Sequence, residues 1–140
     1  MMPNRPDVAP LPPWSFPTAE TLNLPNGMRV LFYHRPGQHV VAASLVIDLP
    51  LSLEPPGKEG LAGLVARTLS DGTRSLPGTG FEDAIEDCGA RFDTSVGYSA
   101  TTVFLDVPAS RFARGRDRLS QAVGKPPLEN ATWRGTVRCA

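Results

Sequence analysis

The run Val40-Val41-Ala42-Ala43-Ser44-Leu45-Val46-Ile47 places the firmest constraint on what this chain can fold into. A nearly continuous apolar segment rich in β-branched residues fits a strand covered on both faces, so it predicts the central strand of a sheet. The run is far below the ~18 consecutive apolar residues of a membrane-spanning helix. The N-terminus also lacks the basic-then-apolar pattern of a signal peptide. A cytoplasmic protein with no membrane span is the expectation.

The flanks of this run read as strand, turn and helix signals. Upstream, Thr21-Leu22-Asn23-Leu24 and Met28-Arg29-Val30-Leu31-Phe32-Tyr33 surround Pro25-Asn26-Gly27. There Asn-Gly can supply the positive φ angles of a tight hairpin. Before the hairpin, six prolines fall within the first 17 residues, which excludes a sustained helix or paired strand. Residues 1–20 are therefore expected to form an extended proline-rich arm. Downstream, Pro50, Pro55 and Pro56 mark a loop, after which Leu61, Leu64, Val65, Thr68 and Leu69 recur at helical spacing. That spacing predicts a helix from about Lys58 to Ser70.

Thr79-Gly80-Phe81-Glu82 has the form of a capping box, with Thr and Glu each satisfying an orphan backbone N–H. Phe81, Ala84, Ile85 and Cys88 then make one apolar stripe, and Gly89 is placed to stop the helix. Period-2 segments follow: Ala90, Phe92, Thr94 and Val96, then Val103, Leu105 and Val107 alternating with Thr102, Phe104 and Asp106. Gly97-Tyr98-Ser99 joins them as a hairpin. A last helix is expected from about Ser110 to Val123, with Phe112, Leu119, Ala122 and Val123 inward and Arg111, Arg114 and Arg118 outward. Hairpins mixed with helices on one face of a mostly antiparallel sheet define an α+β two-layer sandwich. Residues 21–124 form its predicted domain, and residues 125–140 form an irregular tail without sustained period.

Composition removes several function classes. Fourteen Lys and Arg balance fourteen Asp and Glu, so no bulk field favours nucleic acid, and the stripe of Arg111, Arg114 and Arg118 reads as a solvated face. Cys88 and Cys139 are too few for a disulfide framework and lack C-x-x-C spacing. Cys88, in the apolar stripe, reads as a small buried hydrophobe. His34 and His39 have no third ligand at a metal-site spacing. The acidic group Glu82, Asp83, Glu86 and Asp87 begins near a helix N-terminus, where carboxylates favour the macrodipole without any catalytic role.

Glu54-Pro55-Pro56-Gly57-Lys58-Glu59-Gly60-Leu61-Ala62, running on to Leu69-Ser70-Asp71-Gly72-Thr73, resembles the signature region of the insulinase, pitrilysin and mitochondrial processing peptidase family. Leu24-Pro25-Asn26-Gly27-Met28-Arg29-Val30 resembles that family's first hairpin. Cys88-Gly89-Ala90-Arg91-Phe92-Asp93-Thr94-Ser95 resembles its substrate-side edge strand. The likeness spans roughly Thr21 to Val123, the opening part of a family domain of about two hundred residues.

The resemblance implies a zinc metallopeptidase half-domain fold, here incomplete. The family's inverted His-x-x-Glu-His motif sets two imidazoles one helical turn apart, beside a Glu that acts as general base on zinc-bound water. The matching positions here are Gly63, Ala66 and Arg67. Two have no donor atom and the third is a permanent cation, so no metal ligand, no catalytic residue and no zinc cofactor are expected. The family's third ligand, a Glu some seventy-odd residues beyond the second His, would fall past Ala140. Gly60 and Gly63 have a simpler reading as well, a helix that lets another backbone come close.

The resemblance further implies that the edge strand Phe92, Asp93, Thr94 and Ser95 accepts an extended peptide by β-augmentation. Asp93 replaces the family's usual Asn, an acceptor-only carboxylate in place of an amide. The leading expectation is thus the N-terminal part of a non-catalytic, peptidase-like subunit that forms a heterodimer with a zinc-bearing peptidase subunit. A truncated or frame-shifted product without activity and an independent α+β interaction module are the alternatives. No nucleic-acid partner is expected.

Overall fold

In the computed structural model, residues 9–11 and 13–126 are described. Cys139 and most of the predicted tail lie outside the described residues, as does the start of the proline-rich arm. The chain divides into two compact units, residues 1–37 and 38–140.

In the first unit, β1 (Glu20–Asn23) pairs antiparallel with β2 (Arg29–Phe32), with Leu22 opposite Val30. The turn is closed by Gly27 N–H donating to Leu24 O at 2.9 Å and Leu24 N–H donating to Met28 O at 2.8 Å. Only Gly27 takes positive φ, at 84°, and Asn26 does not. Instead the Asn26 side-chain oxygen accepts from Met28 N–H at 3.1 Å. The turn therefore resolves the Asn-Gly signal into one left-handed glycine and one side-chain bond, in place of two residues at positive φ. The described arm residues before β1 carry no helix or strand. Trp14 and Phe16 meet edge to face at 5.7 Å, and Phe16 meets Tyr33 likewise at 6.2 Å.

Among its described residues the second unit is a three-stranded antiparallel sheet of order β3-β5-β4 with three α-helices: β3 (Val40–Ile47), α1 (Leu61–Ser70), α2 (Thr79–Asp87), β4 (Arg91–Val96), β5 (Thr101–Pro108) and α3 (Phe112–Gly124). This is the expected α+β sandwich. The central strand, however, is β5: Val103, Leu105 and Val107 are at most 1% exposed, while β3 lies at one edge with Val40 57% and Val46 66% exposed. The expectation of a doubly covered β3 is corrected for a physical reason. Its apolar residues occupy both faces, but only Val41, Ala43 and their face turn inward, where they pack on Cys88, Leu105 and Val107. A continuous apolar run reports two apolar faces without reporting whether both are covered.

The core fills the space between sheet and helices. Phe81, Ile85 and Ala122 pack with Leu76, Ala90 and Phe92, and the Phe81 and Phe92 rings meet edge to face at 5.3 Å. Burying Phe81 contributes about 1.5–3 kcal/mol. Cys88 is buried and forms no disulfide among the described residues, in agreement with its place on the apolar stripe of α2. Gly89, at φ 60°, ends that helix as predicted.

Helix starts depart from expectation. α2 begins at Thr79 with Gly78 as its N-cap and no side-chain capping bond, so the Thr79/Glu82 capping box does not form: Thr79 lies one position too late to cap. α3 begins at Phe112, after a 3-10 turn over Ala109–Arg111. Of its arginines, Arg118 is half-buried rather than outward, and its Nε is shielded without a hydrogen-bond partner among the described residues.

Candidate functional site

The site begins with how α1 is launched. Lys58 and Glu59 sit in a turn, and Gly60 takes φ 94°, a left-handed conformation that starts the helix at Leu61 rather than Lys58. No adjacent side chain caps this N-terminus. Glu54 reaches in from the preceding loop instead, its Oε2 accepting from Gly60 N–H at 3.0 Å and its Oε1 from Ala62 N–H at 2.7 Å. One carboxylate thus satisfies two donors at the positive end of the helix dipole. Sequence reasoning quoted Glu54 only as part of a motif and missed this role, because the residue lies outside the usual capping window. Its neighbour Glu59 is held below the usual carboxylate range by its own backbone N–H and then by that of Gly57, the latter donating to Oε1 at 3.0 Å.

The buried face of α1 carries Ala62, Ala66, Thr68 and Leu69. Gly63 and Arg67 lie to the side of it, Gly63 half-buried and Arg67 exposed. A Cβ built on Gly63 would meet no atom within 4 Å, and the same holds at Gly60. Among the described residues, then, no other backbone comes close to either glycine.

The structure brings α1 and β4 together. Thr94 donates its hydroxyl to the Ala66 carbonyl at 3.1 Å, joining two positions singled out separately in the sequence. Phe92 and Thr94 turn inward, while Asp93 and Ser95 lie on the exposed face, so the segment Phe92–Ser95 is split by the strand's period. The Asp93 carboxylate accepts from Thr94 N–H through Oδ1 at 2.8 Å and meets Arg91 Nη2 through Oδ2 at 3.4 Å. Arg91, Asp93, Phe104 and Asp106 line a shallow depression of about 210 Å³ on the exposed sheet face.

The donor set on α1 does not fit zinc. Gly63 and Ala66 supply no ligand atom, and the Arg67 guanidinium repels a divalent cation. Among the described residues no three or more His, Cys, Asp and Glu are grouped to hold a metal ion. His34 and His39 fall in different compact units. On α2, Arg111 Nη1 donates to Asp87 O at 2.6 Å, capping the helix C-terminus. Among the described residues no helix is long and apolar enough to cross a membrane.

Residues 29–139 match the family described as Insulinase (Peptidase family M16). The chain belongs to the insulinase family. An uncharacterized zinc protease from Rickettsia bellii (strain RML369-C) is 26% identical over 84 residues, 60% of this chain and 20% of that protein. A protease from Helicobacter pylori superposes with a TM-score of 0.80 at 17% identity, over 89% of this chain and 30% of its own. A peptidase M16 inactive domain from Pseudomonas fluorescens gives 0.75 at 18% identity, over 82% and 28%. Pitrilysin gives 0.75 at 21% identity, over 86% and 13%. The insulinase-family chain thus spans a fifth of the curated relative's length and less than a third of each of these structures, and it shares their α+β fold.

Proposed function

We propose that this insulinase-family chain is a non-catalytic, peptidase-like part that pairs with a zinc-bearing subunit of the same family. The observation that carries the reading is α1: the helix is launched and packed, yet the positions that the motif resemblance matches to the family's zinc ligands hold Gly63, Ala66 and Arg67. Metal-assisted hydrolysis needs ligands that these residues lack. The inactive M16 domain among its structural neighbours supports the same reading. In this proposal the edge of β4, set against α1 by Thr94, is a rail for an extended peptide, held by main-chain hydrogen bonds.

The test combines metal analysis with proteolysis. The purified chain is expected to contain no stoichiometric zinc and to leave β-casein uncut. Co-expression with a zinc-bearing insulinase-family subunit should give a co-eluting complex that cleaves β-casein. Stoichiometric zinc or proteolysis by the chain alone would overturn the non-catalytic reading, and separate elution would overturn the pairing.

A further inference from the structure

Among the described residues no strand pairs with the outer edge of β4, and that edge is not uniformly open. In an antiparallel ladder, residues alternate between those that bond across the pair and those whose N–H and C=O face away. Gly97 N–H donates to Ala100 O at 2.9 Å, and the register continues through Val96 opposite Thr101 to Thr94 opposite Val103. Counting back from Gly97, the outward-facing residues are Val96, Thr94 and Phe92. These supply the groups that an added strand would pair with. The middle one is already taken, because Thr94 N–H donates to Asp93 Oδ1 at 2.8 Å.

Asp93 is held in this position from its other side. Its Oδ2 lies 3.4 Å from Arg91 Nη2, two residues away on the same face of the strand. The carboxylate therefore spans from a guanidinium on the sheet face to an amide on the sheet edge. An Asn in its place would lack the charge that draws it to both.

We infer that Asp93 is a latch on the β4 edge: its carboxylate occupies the Thr94 amide and must be displaced before an extended strand can pair there. This inference rests on the peptide-rail reading of β4 and adds to it the residue that governs access. The side chain also acts as edge protection, since a charged residue that caps its own strand's amide discourages pairing with a second copy of the chain. The hydrogen bond to a charged acceptor is the interaction lost on peptide entry, so the latch should lower affinity about tenfold.

The test uses the full chain, its Asp93→Ala and Asp93→Asn variants, and a fluorescein-labelled peptide of alternating Thr and Ala, about ten residues long to span the strand. Thr94 amide hydrogen exchange is followed in parallel. Exchange should be faster in Asp93→Ala than in the parent chain, and that variant should bind the peptide about tenfold more tightly by fluorescence anisotropy, with Asp93→Asn between them. Equal affinity in all three chains would overturn the latch and leave the rail standing. No binding by any of them, with the Thr94 amide freed in Asp93→Ala, would overturn both.

Discussion

The Thr94 hydroxyl lies 3.1 Å from the Ala66 carbonyl and donates to it. This bond ties the edge strand β4 to the helix α1. Both groups are shielded, Ala66 being buried and Thr94 half-buried. Replacing Thr94 with Val keeps the β-branched shape and removes the donor. The variant should lose about 1 kcal/mol of stability, read as a lower urea midpoint with an unchanged slope. An unchanged midpoint would mean that the contact contributes nothing to the docking of α1.

Glu54 provides the second prediction. Its two oxygens serve Gly60 N–H and Ala62 N–H at 3.0 and 2.7 Å, so Glu54→Ala strands two donors at the start of α1. The loss should be about 1–2 kcal/mol, comparable to removing a strong helix cap. Glu54→Gln retains an acceptor without the charge and should fall between. Faster amide exchange at Gly60 and Ala62 would locate the effect at the helix start, whereas a uniform change across the sheet would argue against capping.

Much of this architecture is legible in the sequence because local chemistry decides it. The stripe Phe81, Ile85 and Cys88, the stop at Gly89 and the alternation of Val103, Leu105 and Val107 each follow from a period or a turn residue. What was not legible depends on distant partners. The edge position of β3 follows from which strand takes the middle of the ladder. The cap on α1 comes from a loop residue six positions before its first donor. The Thr94–Ala66 bond joins residues 28 apart. The identities of Gly63, Ala66 and Arg67 needed no structure, but the open space beside Gly63 did.

Acid should weaken the turn before α1. The Glu59 carboxyl is held below its ordinary range first by its own backbone N–H and then by that of Gly57. A carboxyl depressed in the folded state contributes stability above its unfolded pKa and loses it as pH falls through the folded value. The parent chain should therefore exceed Glu59→Gln in urea midpoint at neutral pH, and the two should converge as pH falls below the usual carboxylate range. Because the group is fully exposed, the difference should be small and should shrink further in high salt. A gap that persists in acid would assign the effect to packing.

Two glycines in helices should respond oppositely to alanine. At Gly63 an added methyl meets nothing within 4 Å, so Gly63→Ala gains helix propensity without a clash, about 1 kcal/mol of stability. At Gly115, in α3, the same methyl would stand 3.1 Å from Val107 Cγ2 and 3.4 Å from Leu105 Cδ2. Both neighbours belong to the central strand and are buried, so they have little room to give. Gly115→Ala should therefore cost about 1–3 kcal/mol despite its better propensity. Thermal melts of the two variants should move in opposite directions. A fall at Gly63 would show that α1 is more tightly enclosed than its geometry indicates, and a rise at Gly115 would show that α3 can lift from β5 at little cost.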